Sequence, residues 1–183
     1  SLIGGWGGLV SAVLVGGVFG FVLAALVVTY RMDQIIAGVV INLFVLGVTS
    51  YVSSQVFSEV RWLNNAPVFR AWKIPVLGDI PVIGPMLFNQ NLFVYAALVM
   101  VAVATYYRWG LRVRAVGEHP KAADTLGIDV YRTRYIPVTL GGMVAGFAGA
   151  WFTLGSVGRF DEGMTGGRGY IGLAAMIFGR WHP

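Results

Sequence analysis

Long uncharged apolar runs dominate the chain, and none shows the alternation of period two that marks a half-buried strand. The runs are Leu9–Val28, Ile35–Phe57, about Leu92–Tyr107, Tyr135 to about Val157, and the shorter Tyr170–Phe178. About 20 helical residues at 1.5 Å each cross the roughly 30 Å hydrocarbon core of a bilayer. The first four runs are therefore predicted to be transmembrane helices. The fifth is too short to cross alone, and is either interrupted by the end of the sequence or half of a broken helix.

Composition agrees with this pattern. Of the 183 residues, 57% are hydrophobic and 11% are charged, and the mean hydropathy is +0.73. A soluble domain needs more polar residues to cover its surface, and backbone groups in lipid must be paired within helices or closed barrels. The predicted fold class is an all-α membrane protein: a polytopic transmembrane helix bundle with about four full spans and a partial fifth. The 26 glycines fit close helix packing, and the absence of cysteine excludes disulfides and thiol catalysis.

Two hydrophilic loops separate the apolar runs, and their charges differ. Residues 108–134 contain six Lys/Arg, whereas residues 58–91 contain three together with four prolines. The positive-inside rule therefore predicts that 108–134 is cytoplasmic and 58–91 extracytoplasmic, with Arg31 on the cytoplasmic side. The net charge of +5 is then a topology signal, and nucleic acid is not an expected partner.

The basic loop contains signals for one short helix. Proline suits the first turn of a helix and glycine commonly ends one, so Pro120 and Gly127 predict a helix from about Pro120 to Leu126. Such a rigid knob could occupy a groove on a partner protein. From spacing alone, a solvated loop that only sets membrane orientation is the commoner case, and both interpretations stay open.

A family resemblance favours the first interpretation. The segment Leu111–Ile128 closely resembles the cytoplasmic coupling loop of ABC-type importer permeases, in the simple-sugar and nucleoside family related to the branched-chain amino acid and ribose permeases. Ala122, Ala123 and Gly127 are similar to the core of the "EAA…G" loop, with Lys121 where that motif has glutamate. The resemblance continues through Gly141–Ala150, the Phe160–Met164 turn and Gly169–Pro183.

The resemblance implies a multi-pass permease subunit of the bacterial inner membrane, surrounded by lipid, that imports nucleosides or simple sugars. Residues 1–183 would be part of one transmembrane permease domain, truncated at both ends. Its implied partners are cytoplasmic ATP-binding cassette subunits, a second permease subunit (identical or different) and an extracytoplasmic substrate-binding protein. The sequence has no GxxxxGK[ST] motif, so we expect no enzymatic activity and no bound cofactor, with ATP used by the partner subunits. The alternatives are a branched-chain amino acid-type ABC permease and a secondary carrier.

Two sets of candidate site residues follow. The resemblance assigns ATPase coupling to Arg112, Arg114, Gly117, Glu118, Pro120, Ala122, Ala123 and Gly127. Polar residues inside the second apolar run suggest a substrate pathway, because an amide or hydroxyl in hydrocarbon requires a polar neighbour; they are Asn42, Thr49 and Ser50. Ordinary hydrogen bonding between helices is the commoner role for such residues. Gly142 and Gly146, like Gly16 and Gly20, are predicted to serve close helix packing. The Arg159–Glu162 turn meets the binding protein, lines the outer mouth or is simply solvated.

Overall fold

The computed structural model describes residues 2–59, 68, 72, 73, 89–106 and 108–179, and these residues are largely helical. The bounds of the helices are α1 Leu2–Ala24, α2 Gln34–Glu59, α3 Leu92–Tyr106, α4 Arg108–Glu118, α5 Pro120–Thr125, α6 Val130–Ala150 and α7 Arg168–Phe178. Two of them continue as π-helical segments, α1 through Ala25–Thr29 and α6 through Trp151–Val157. The predicted all-α membrane fold is confirmed.

Three helices are long and apolar enough to cross a bilayer. They cover Gly4–Thr29, Gln34–Val56 and Val130–Val157, close to the first, second and fourth predicted runs. The last begins five residues before the predicted start at Tyr135, because Asp129 caps it and the helix accommodates Arg132 and Arg134 in its first turns. Proline usually interrupts a helix, yet Pro137 lies inside α6 without ending it.

The third predicted run forms a shorter helix. α3 has 15 residues, which corresponds to roughly 22 Å at the rise of an α-helix. Most of the predicted extracytoplasmic loop at 58–91 lies outside the described residues. Within it, Trp72–Lys73 and Asn89–Gln90 form a two-residue antiparallel ladder, with Trp72 opposite Gln90. The sequence pattern did not predict this ladder, since two residues are too few for a period to show.

Among the described helices, α1 and α6 pack most extensively against each other, and their backbones touch through glycines. A Cβ atom added at Gly16 would overlap the carbonyl oxygen of Gly142, and one at Gly146 would overlap that of Ala12. A Cβ at Gly20 would lie 2.9 Å from the Thr139 oxygen. Along the contact, residue numbers increase in α1 while those of their partners in α6 decrease, so the two helices are antiparallel. The prediction that these glycines serve packing is confirmed.

One end of the bundle gathers the basic segments. The π-helical end of α1 meets the start of α6, where the Thr29 and Tyr135 hydroxyls share a hydrogen bond. α4 and α5 pack against the same end of α6, so the turn that holds Arg31 and the 108–134 segment lie together. We call this the basic end. Both segments assigned to the cytoplasm by their charge thus share one end, although the side of the membrane stays a prediction.

At the opposite end of the bundle, aromatic and aliphatic side chains pack together. The Phe93 and Phe147 rings lie 5.0 Å apart, and Phe93 forms a buried cluster with Ala150 and Leu154. The Asn91 side chain donates a hydrogen bond of 3.0 Å to the Gly155 carbonyl oxygen. These contacts tie the start of α3 to the end of α6, so α3 and α4 lead the chain from this end back to the basic end.

Candidate functional site

The segment between α3 and α6 folds into two short helices that pack against the start of α6. We call residues 108–129 the helical knob. Its inner side is apolar: Val116 on α4 is 2% exposed and Ala123 on α5 is 3% exposed. Thr133, on the first turn of α6, is buried as well. Because burial fixes each of the three elements against the others, the helical knob has a defined shape.

The end of α5 is a complete Schellman motif. The Ile128 amide donates to the Ala123 carbonyl oxygen at 3.1 Å, and the Gly127 amide donates to that of Asp124 at 2.9 Å. Gly127 has φ +78°, the left-handed conformation that this motif requires and that glycine adopts without strain. Pro120 occupies the first turn, as predicted. The sequence prediction of a short helix ended by Gly127 is confirmed, with the helix at Pro120–Thr125.

The next helix is capped immediately after this turn. The Asp129 carboxylate accepts a hydrogen bond of 3.0 Å from the Arg132 amide and forms an ion pair of 3.2 Å with the Arg132 side chain. A capping aspartate fixes where a helix starts and satisfies an otherwise unpaired amide. One turn therefore connects α5 to the long apolar helix α6.

On the outer side of the helical knob, charged side chains surround one exposed apolar side chain, which we call the tip. Leu126, at the end of α5, is 80% exposed, and Arg112, Arg114 and Lys121 are exposed on the two helices. An open groove of about 560 Å³ runs beside α5; it is lined by Pro120, Lys121, Asp124, Gly127, Ile128, Asp129, Val130 and Tyr131. Residues 108–129 hold four Lys/Arg against three Asp/Glu, and the adjoining start of α6 adds Arg132 and Arg134, so this surface is net basic.

The predicted coupling residues divide between the two sides of the helical knob. Ala123 faces inward and Pro120 is half-buried, so both shape the turn. The exposed members are Arg112, Arg114, Gly117, Glu118, Ala122 and Gly127. Sequence reasoning did not single out Leu126, the most exposed large hydrophobic side chain among the described side chains of the helical knob. The sequence could have indicated its exposure, because a leucine directly before a helix-ending glycine lies at the tip of the turn.

The predicted pathway residues on α2 are only partly brought together. Thr49 and Ser50 are half-buried, whereas Asn42 is exposed and makes no side-chain hydrogen bond within the described residues. Ser50 donates a hydrogen bond of 3.2 Å to the Glu162 carboxylate, which lies 112 residues away in the chain. A substrate-lining role for the three residues stays a prediction.

Replacing Gly127 by valine should loosen the end of α5. A β-branched side chain is strained at positive φ, and a left-handed residue costs about 1–2 kcal/mol. We expect faster hydrogen exchange of the Ile128 amide and a fall in thermal stability. Gly127→Asn is the matched control, since asparagine tolerates this conformation. Equal exchange rates in the two variants would show that the backbone conformation does not hold this turn.

Comparison with known proteins places the chain in a family. A family model described as branched-chain amino acid transport system / permease component matches residues 2–183. The chain belongs to this family. It is a multi-pass protein of the inner (plasma) membrane, and its relatives are transport components. No solved structure matches it.

Individual relatives carry more specific names. The chain is 37% identical to the guanosine ABC transporter permease protein NupQ of Bacillus subtilis, covering 97% of this chain and 57% of the relative. It is 38% identical to the nucleoside ABC transporter permease protein NupC of Lactococcus lactis, with the same coverage of 97% and 57%. A second Bacillus subtilis protein, the guanosine ABC transporter permease protein NupP, is 24% identical over 93% of this chain and 50% of the relative. The chain thus spans 50% to 57% of the length of these relatives.

Proposed function

We propose that this chain is part of the permease subunit of an ABC importer for nucleosides, with simple sugars as the related substrate class. The single observation that carries the proposal is the helical knob. It is a fixed, net basic surface with an apolar tip, it lies at the basic end of the bundle, and it continues directly into α6. The 37% and 38% identities to permeases named for guanosine and nucleosides support the substrate class.

In this proposal the helical knob docks on a cytoplasmic ATP-binding cassette subunit. The apolar Leu126 tip inserts into a pocket of the ATPase, while the surrounding cations meet an acidic rim. ATPase closure then moves α5, and the Schellman turn and the Asp129 cap transmit that movement to α6. The contact between α6 and α1 carries it into a second transmembrane helix. The chain itself performs transport and no catalysis, since the nucleotide is bound by the partner.

The remaining partners follow from the same scheme. Two different permeases named for guanosine occur in Bacillus subtilis, and this chain is 37% identical to one and 24% identical to the other. That pattern supports a pore built from two different permease subunits. An extracytoplasmic binding protein delivers the substrate to the end opposite the helical knob. Lipid covers the apolar outer faces, of which α2 has the largest share.

Purification and reconstitution of the complete complex test the proposal. We expect the permease to co-purify with an ATPase chain, and proteoliposomes that contain the complex and its binding protein should accumulate radiolabelled guanosine only when ATP is present. Uptake driven by an ion gradient without an ATPase would instead identify a secondary carrier. ATP-driven uptake of leucine in place of guanosine would identify a branched-chain amino acid permease. Either result would refute the nucleoside proposal.

A further inference from the structure

The loop between α6 and α7 has a defined shape at the end opposite the helical knob. We call residues 158–167 the outer loop, since the charge distribution assigns this end to the outside. Its turns are made by glycines at positive φ; they are Gly158, Gly163, Gly166 and Gly167. Hydrogen bonds within the loop fix these turns, including Met164 amide to Asp161 carbonyl at 3.2 Å and Gly166 amide to Gly163 carbonyl at 2.9 Å.

The two adjacent carboxylates of the outer loop have different environments. Asp161 forms an ion pair of 2.9 Å with the Arg159 side chain, so its carboxylate already has a cationic partner. Glu162 has no cationic partner among the described residues, and its Oε2 atom accepts a hydrogen bond from the Ser50 hydroxyl at 3.2 Å. Its other carboxylate oxygen is not engaged by a described residue, and the side chain is exposed. Glu162 therefore has a carboxylate oxygen that is free to accept a hydrogen bond.

Ser50 connects this carboxylate to the polar positions of α2. Asn42, Thr49 and Ser53 are separated by seven and four residues, which places them on one face of the helix, and Ser50 borders that face. The rest of α2 is predominantly apolar, so these side chains form a polar strip along it. The hydrogen bond with Ser50 places Glu162 beside the outer part of the strip.

We propose that Glu162 is a substrate-binding residue at the outer mouth of the permeation path. Its carboxylate accepts hydrogen bonds from the vicinal hydroxyls of the sugar part of the substrate, and Ser50 is a positioning residue that holds it toward α2. An ionised carboxylate offers only acceptors, and two neighbouring hydroxyls can supply two donors to it. Such charge-assisted bonds are short and strong. The assignment of a sugar-containing substrate rests on the proposed function.

The proposal implies discrimination by the sugar hydroxyls. Bound substrate would shield the Glu162 carboxylate from water, so an analogue that lacks the hydroxyls would leave the carboxylate desolvated without a partner and would bind more weakly. A purely structural latch between the outer loop and α2 would show no such preference. Comparing a ribonucleoside with its 2′,3′-dideoxy analogue therefore separates the two roles.

The experiment measures equilibrium binding of tritiated guanosine and 2′,3′-dideoxyguanosine to the intact importer complex in lipid nanodiscs, without the binding protein. We expect the wild-type complex to bind guanosine about tenfold more tightly, the change typical of losing a hydrogen bond to a charged group. Glu162→Gln should remove most of that preference, and Ser50→Ala should reduce it. Asp161→Asn is the matched control and should keep it, because its carboxylate is already paired with Arg159.

Several outcomes would overturn the proposal. The proposal fails if the wild-type complex does not bind guanosine, or if it binds guanosine and 2′,3′-dideoxyguanosine equally well. It also fails if Glu162→Gln keeps the wild-type preference for guanosine. If Glu162→Gln binds both nucleosides more weakly by the same factor, Glu162 has a structural role instead. ATP-driven guanosine uptake by the same wild-type complex, measured with the binding protein present, tests the proposed function separately. If uptake is normal and any of these binding results is obtained, the proposed role of Glu162 is refuted and the proposed importer function stands.

Discussion

Replacing Gly146 by valine is expected to separate α1 from α6 and to destabilise the protein more than any other single substitution considered. A Cβ atom at position 146 would overlap the backbone carbonyl of Ala12, and a backbone oxygen cannot turn aside as a flexible side chain can. Overpacking of this kind costs about 3 kcal/mol or more when the neighbour cannot move. In lipid there is little hydrophobic drive to hold two helices together, so the loss of close packing is not offset.

The matched control is Gly149→Val, three residues further along the same helix. Within the part of the chain that the structure describes, a Cβ atom there would have no atom within 4 Å outside its own helix, so valine should be tolerated. Both variants remove one glycine and add the same side chain, which cancels the change in helix propensity. We expect detergent-solubilised Gly146→Val to unfold roughly 10 °C below wild type, a shift in line with the stability loss, while Gly149→Val stays close to wild type. Similar midpoints for the two variants would contradict the backbone contact.

The sequence allowed the glycine positions to be predicted but not their partners. Gly142 and Gly146 are four residues apart, as are Gly16 and Gly20, and each pair alone indicates a small-residue face. Nothing in a single sequence says that these two faces meet, since many apolar helices could supply a partner. The antiparallel register, with Gly16 against Gly142, required the tertiary structure.

Local signals predicted α5 well because its geometry is set by local chemistry. They did not predict α4, since Arg108–Glu118 was assigned to the hydrophilic loop. Proline at the start and glycine at the end determine α5 almost without help from the rest of the fold. The start of α6 was misplaced for the opposite reason. The apolar run begins only at Tyr135, whereas α6 begins directly after its cap at Asp129. Arg132 and Arg134 therefore lie in the first turns of the helix. Hydropathy locates the part of a helix inside the membrane, and capping locates its end.

The contact between Ser50 and Glu162 could not have been predicted from either residue. They are separated by 112 positions, and both stand in segments where a solvated or packing role is commoner. Proximity arises only when α2 and the outer loop reach the same end of the bundle. The most specific chemistry proposed for this permease therefore depends on the part of the fold that local patterns do not encode.

Replacing Leu126 by aspartate is expected to reduce coupled transport about a hundredfold while leaving the chain folded. The Leu126 side chain is 80% exposed, and its amide is bonded to the Ala123 and Asp124 carbonyl oxygens whatever the side chain. The fold therefore gains little from the leucine. In the proposed complex the same side chain is buried against the ATPase, where a leucine contributes about 1.5–3 kcal/mol. A carboxylate in that pocket would lose its hydration without gaining a partner.

A graded series separates docking from folding. Leu126→Met keeps apolar bulk and should retain ATP-driven guanosine uptake, Leu126→Ala should reduce it, and Leu126→Asp should reduce it about a hundredfold, because a loss near 3 kcal/mol corresponds to two orders of magnitude in binding. All three variants should melt within a few degrees of wild type, whereas co-purification of the ATPase should fall in the same order as uptake. Because the cations around the tip are proposed to meet an acidic rim, high salt should slow ATPase association as well. Wild-type uptake by Leu126→Asp would exclude the tip of the helical knob from coupling, even if the chain proved to be a nucleoside permease.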